Sequence, residues 1–532
     1  MVYRSSRLPS CSSTAPARAW SRALAVCLSL VAVGLAQTAV AQAERVLYVD
    51  ASHVAASDAG TGAASRPLAT ISEALERAVA NRASGAATRI IVQPGTYREA
   101  LVGSYPPSEP DAPWVVVEAA VPGEAVVSGS DVWTDWECDA NVCIHDWPFD
   151  WGFADIPWSH IHIEPLGLRR EMVFVDGSFI EQRLELSDAI ATPATFHVDE
   201  EGNRLTLHLP PGADSDQAVI EVAVRPWLVR LQGFGNLEVR GLVFEHGNPA
   251  IPETAVTIVD QTNVLVEDVI VRWSNWTGIA FTGTNLVLRR STITHNGASG
   301  ISAYRVSGLL LEGNESSNNN WRGYAGGFVD WAVGDKFMFT RDLVIRDQYA
   351  TSNLARGLWI DYDNVGVVIE RLVSCGNLTD GLFIEQNPGK VSVVDSTLCD
   401  NGGAGVRTSA TNGLELRGNV IEGNQAGQIV ISGDLDVELT DWITGQTFVL
   451  NNESWSVVDN VLRARGQQLL VATTLPRSYW YALMATADFD HNEYALASDG
   501  GGFQIYGGSV VDFSDWQSRA LQDSKSTILR IE

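Results

Sequence analysis

The sequence predicts an all-β parallel β-helix, and three observations lead there. Short β-rich runs recur at a nearly fixed spacing, glycines open them in register, and asparagines return at the same period. From about residue 230 onward Gly278, Gly300, Gly357, Gly381 and Gly405 each open a similar segment, at intervals of 22, 57, 24 and 24 residues. Asn353, Asn377, Asn401 and Asn424 recur at 24, 24 and 23, as stacked side-chain amides on successive turns of a solenoid would. One coil is therefore about two dozen residues, well short of the roughly 40 residues of a propeller blade. Within each coil, runs such as Leu343-Val344-Ile345 and Val367-Val368-Ile369 are too short for helices and rich in β-branched residues.

The elements follow in chain order. Arg4, Arg7, Arg18 and Arg22 precede a 14-residue apolar run, Ala23 to Ala36, and small-residue cleavage sites follow at 39–43. That pattern is a secretory signal over residues 1–43, too short to span a bilayer, and no later run reaches about 18 apolar residues. Removing it takes the formal charge from −28 to −32 and leaves Cys138, Cys143, Cys375 and Cys399, an even number suited to an oxidising compartment. A surface this acidic repels phosphate backbones, which excludes nucleic acid as a partner.

Residues 44–130 read as an N-terminal cap and the first coils. Thr70-Ile71-Ser72-Glu73 is a capping box, and Ile71, Leu75, Ala78 and Val79 share one helical face that would cover the open end of the solenoid. Residues 131–218 break the period and read as an inserted β-domain. They hold Trp133, Trp136, Trp147, Trp151 and Trp158, read first as the insert's own core and otherwise as sugar-binding rings, with His145, His160 and His162 among them as loop or core histidines. Residues 219–532 form the main β-helix and a C-terminal cap. Cys375 and Cys399, 24 apart, fall on neighbouring coils, either as a disulfide or as a buried thiol stack.

Aligning the segments after each Gly places the chemistry. Strand alternation sends Leu358/Ile360 and Leu382/Ile384 to the core and Trp359, Asp361, Phe383 and Glu385 outward. With the coil before entering at Gly326-Gly327-Phe328-Val329-Asp330, Phe328 joins the aromatic column and Asp330 the acidic one. Stacked carboxylates on coils about 4.8 Å apart push one pKa upward, so one group holds a proton while the other stays ionised, as glycosidic cleavage requires. A separation of about 5 to 5.5 Å suits the retaining, double-displacement mechanism. Trp359 and Phe383 suit the apolar face of a sugar; Asp363, Asp330, Lys336 and Arg407 are the further candidates for substrate contact. Lys336 either points into this cleft or offsets local acid. The bland alternatives for the pair are solvated surface carboxylates or a calcium site; no metal ligand set is assigned.

The run Gly-Leu-Trp-Ile-Asp-Tyr-Asp-Asn at 357–364, followed one coil later by Gly-Leu-Phe-Ile-Glu-Gln-Asn at 381–387, resembles secreted right-handed parallel β-helix proteins of the pectate-lyase-like superfamily. It is similar in particular to β-helical glycoside hydrolases of the β-xylosidase and xylanase/fucosidase types. Arg169 to Gly177 and Asn320 to Lys336 share the resemblance. It implies a right-handed coil, with Asp361 as nucleophile and Glu385 as acid/base; no cofactor is expected, with calcium as the alternative. Two other functions compete. One is a polysaccharide lyase or uronate epimerase, calcium-assisted, with Lys336 or Arg407 as base; the other is a non-catalytic glycan-binding solenoid.

Overall fold

The computed structural model describes residues 44–105, 107–156, 161–325, 333–497 and 501–531. Each central coil is built from three short strands. Arg356–Ile360, Val367–Glu370 and Val373–Cys375 make one, and Leu382–Glu385, Val391–Val394 and Thr397–Cys399 make the next. Each strand pairs in parallel with its equivalent one coil on, so that Leu358 faces Leu382, Val367 faces Val391 and Cys375 faces Cys399. Side chains alternate, and Leu358, Ile360, Leu382, Ile384 and Val406 are all fully buried in one continuous core.

The coil corners carry buried asparagines. Asn353 donates to Asn377 Oδ1 (3.1 Å), Asn377 to Asn401 Oδ1 (3.0 Å), and Asn401 to Asn424 Oδ1 (2.8 Å). Each side-chain nitrogen also reaches a backbone carbonyl, as Asn377 reaches that of Ala350 at 2.9 Å. A buried amide satisfied on both sides avoids the desolvation penalty that would otherwise oppose a polar residue there. Cys375 and Cys399 form a disulfide across adjacent coils, Cα to Cα 4.5 Å, and Cys138 and Cys143 form a second.

The helix Ile71–Ala83 covers the N-terminal end; Thr70 caps it by accepting from Glu73 N–H, and Ile71, Ala74, Leu75 and Ala78 are buried beneath it. Strands from Ser130–Trp133 to Ile220–Ala223 form a separate eight-stranded sheet, mostly antiparallel, with its own core around Trp147, Phe196 and Leu207. Arg322, 1 % exposed, ties this sheet to the solenoid: it donates to Asn275 Oδ1, Gln182 Oε1 and the Glu171 carbonyl, each at 2.9 Å. Toward the C-terminus the helices Arg477–Thr486 and Phe513–Ala520 bury Trp480 and Trp516.

One register expectation fails. The coil preceding Arg356–Ile360 enters at Gly334, not Gly326, and its strand Val333–Met338 pairs Asp335 with Leu358, Lys336 with Trp359 and Phe337 with Ile360. Phe328 and Asp330 lie outside the described residues. The position expected for Phe328, beside Trp359, is held by Lys336. The physical reason is Asp335, an acid in an inward-pointing position, which a rule that sends apolar residues inward passes over. Its carboxylate accepts from Ser316 Oγ (2.6 Å), Ile301 N–H (3.2 Å) and Gln348 Nε2 (2.9 Å).

Candidate active site

On the outer face of these strands, pairing sets one column of Ser302, Lys336, Trp359, Phe383 and Arg407. Asp361 and Glu385 directly follow Ile360 and Ile384, the last pair of this register, and the Asp361 charge acts on Glu385. Asp361 is held at both oxygens. Its Oδ1 accepts from Tyr362 N–H at 2.8 Å and its Oδ2 meets Lys336 Nζ at 3.1 Å. Glu385 has a different environment: burial, then the Asp361 charge, push its pKa up to about 7, against the pull of Lys336 and Arg356. Burial in turn lowers the Lys336 pKa, opposed by Asp361 and Glu385.

Trp359 and Phe383 do stack, ring centroids 5.2 Å apart and tilted by 34°. They do not offer open faces, however. They are 4 % and 7 % exposed, Lys336 Nζ sits 3.7 Å from the Trp359 ring centre, and Arg356 lies over both rings at 4.9 and 5.1 Å. They therefore form the floor that carries the cations, in place of the expected sugar platform. Asp363 also departs from expectation: its side chain is fully buried, paired with Arg341 at 3.0 Å and accepting from Trp442 N–H at 2.9 Å. It anchors the hairpin of strands Val437–Thr440 and Thr447–Leu450, with Arg341 bridging on to Asp441 at 2.7 Å. Arg407 Nε binds Asp380 Oδ2 at 2.9 Å at the edge of the same face.

Asp380, Arg356 and Thr379 belong to the site and were missed. Asp380 accepts from Arg356 Nε (3.3 Å), Arg407 Nε and Ala404 N–H (2.8 Å). The signal was available, since Arg356 and Asp380 occupy the same place, one residue before Gly357 and Gly381. Three buried polar atoms here have no partner among the described residues: Trp359 Nε1, Arg356 Nη1 and Thr379 Oγ1. Each unmade bond costs about 1–3 kcal/mol, which an acceptor-bearing ligand would recover. Among the described residues, no group of three or more His, Cys, Asp or Glu side chains is placed to hold a metal ion.

The family described as the right-handed β-helix region matches residues 254–441. XylC in complex with xylose superimposes with a TM-score of 0.67 at 14% identity, over 91% of this chain and 86% of that one. This protein is a right-handed parallel β-helix. A structure described as a glycoside hydrolase is also similar to the β-helix, at TM-score 0.51 and 10% identity over 87% of this chain and 96% of that one. The A-module of the Azotobacter vinelandii mannuronan C-5 epimerase AlgE4 reaches 0.48 at 14% identity, covering 91% and 100%. No curated protein matches the β-helix chain. No helix among the described residues is long and apolar enough to cross a membrane.

Proposed function

We propose that this β-helix is a secreted carbohydrate-active enzyme, a retaining glycoside hydrolase with Asp361 as nucleophile and Glu385 as acid/base. The observation that carries this is the unequal setting of two adjacent carboxylates. Lys336 Nζ lies 3.1 Å from Asp361 Oδ2, while burial and the Asp361 charge raise Glu385 to about 7. Strands about 4.8 Å apart match the roughly 5 to 5.5 Å separation of a double displacement.

The chemistry follows. Glu385, protonated, delivers its proton to the glycosidic oxygen as Asp361 attacks the anomeric carbon, so the C–O bond to the leaving group breaks as the ester bond forms. Glu385, now ionised, takes a proton from water, which attacks the same carbon and releases Asp361. Through both steps the pair carries one net negative charge, and Lys336, which interacts with both carboxylates, balances it throughout. XylC, a fold neighbour, holds xylose, which makes pentose glycosides the first substrates to test. Following the anomeric proton by NMR during hydrolysis of an aryl glycoside tests the mechanism. The first-formed sugar should keep its configuration, and inversion would overturn the assignment.

A second reading has its own support. Lys336, Arg356 and Arg407 gather three cations at one face of a chain with formal charge −28, and burial biases Lys336 toward the neutral, basic form. A uronate lyase would use such a base and leave a conjugated double bond. Near-ultraviolet absorbance growing on a uronate polymer would establish that reading in place of hydrolysis. The cleavable leader-like segment and two disulfides support secretion.

A further inference from the structure

An open cavity of about 660 Å³ lies on the inserted sheet, built by residues from both ends of the insert, and the reaction above does not use it. Its wall begins with the strand Ser130–Trp133, whose Trp133 pairs across to Ile220. The hairpin of Glu137–Asp139 and Val142–Asp146, closed by the Cys138–Cys143 disulfide, brings His145 and Asp146 to the same rim. Trp133 lies 4.6 Å from the His145 ring and 6.4 Å from Phe149, with the buried Trp147 packed 5.8 Å away. The sequence offered two readings of these tryptophans, the insert's own core first and a sugar-binding surface second. Trp147 serves the core, whereas Trp133 remains partly exposed and lines the cavity.

The polar groups are few and fixed. Arg225 Nη2 pairs with Asp131 Oδ1 at 2.8 Å, Thr134 Oγ1 donates to Asp135 Oδ2 at 3.0 Å, and His145 Nδ1 donates to the Asp146 carbonyl at 2.7 Å. Three carboxylates, Asp131, Asp135 and Asp146, thus stand against one guanidinium, so an anionic ligand is repelled. Aromatic rings offer a surface to apolar C–H faces, and carboxylates accept from hydroxyls. A neutral polyhydroxylated ring meets both demands.

We propose that this cavity is a second carbohydrate-binding site, taking a neutral oligosaccharide and independent of the Asp361/Glu385 pair. The full chain carrying Glu385→Gln, to prevent turnover, is titrated calorimetrically with xylotetraose, cellotetraose, a galacturonate tetramer and spermidine. A neutral tetrasaccharide should bind, and Trp133→Ala and Asp135→Asn should each weaken it at least tenfold while Asp361→Asn leaves this binding unchanged. Asp135 is exposed, at φ 62°, a conformation Asn also tolerates, so the second variant keeps the test valid if Trp133→Ala misfolds. The proposal is overturned if no neutral sugar binds, if Asp361→Asn removes the binding, if neither insert variant weakens it, or if spermidine or the uronate binds more tightly. Because the readout is binding at the insert, a non-hydrolytic Asp361/Glu385 pair would leave it standing.

Discussion

At the scale of single residues, the proposed hydrolysis rests on two carboxylates in different settings, and that difference is measurable. Replacing Glu385 by Gln removes the proton donor, so natural glycans should lose about 10²–10⁴-fold in kcat/KM while substrates with activated leaving groups lose far less. Equal losses on both would refute the acid role. The pH dependence has a defined sign. Glu385 must be protonated to act, so activity should fall as pH rises through about 7. Lys336 holds that value down, so Lys336→Met should move the basic limb of the kcat/KM profile to higher pH, whereas a lysine that only packs against Trp359 would leave the limb in place. Asp361 and Glu385 were legible as outward acids one period apart. Their buried partners were less so: nothing in a strand pattern says that Trp359 and Phe383 lie under Arg356, because that cover comes from the residue before the repeat's glycine.

At the scale of the element, glycine spacing and alternation were enough to set the strands from Arg356 to Ser409, because one slip would turn Asp361 or Glu385 into the core. They failed one coil earlier. The strand Val333–Met338 puts Asp335 inside, where burial raises its pKa from 3.8 to about 7 in spite of three hydrogen bonds that favour the ion. A carboxyl whose folded value is raised contributes its full stability below the unfolded value, and loses it as pH climbs through the folded one. Stability should therefore decline between about pH 4 and pH 7 on this account. Asp335→Asn should abolish that part of the decline. Gln348, whose Oε1 has no partner among the described residues, can reverse its amide to accept from the new Asn nitrogen. Thermal melts should show the variant equal to the parent near pH 4 and more stable near pH 8. A constant offset at both values would mean that Asp335 does not titrate in this range.

At the scale of the whole molecule, a solenoid is held together by neighbour-to-neighbour pairing, whereas the inserted sheet has a core of its own and must be fastened. The break in period at residue 131 made the insert visible in the sequence, but not its fastening, because Arg322 lies about 100 residues beyond the sheet it grips. Four of its contacts converge from both parts: Asn275 on the solenoid, and Gln182 Oε1, the Glu171 carbonyl and the Leu166 carbonyl (3.3 Å) on the insert side. Burial lowers the Arg322 pKa to about 10, still far above neutrality, so the guanidinium keeps its charge beside the Arg169–Glu171 pair. Arg322→Met would keep most of the volume and remove every donor, at a cost of about 3–5 kcal/mol for a buried charged network broken on one side. Because the sheet retains its own core, that loss should fall on the connection. The parent should melt in one transition, whereas in the variant the amides of the sheet from Ser130–Trp133 to Ile220–Ala223 should lose their protection from hydrogen exchange at a lower temperature than those of the coils. Coincident transitions in the variant would show instead that the insert and the solenoid remain coupled through other contacts, such as Arg170 Nε to the Asn248 carbonyl at 2.9 Å.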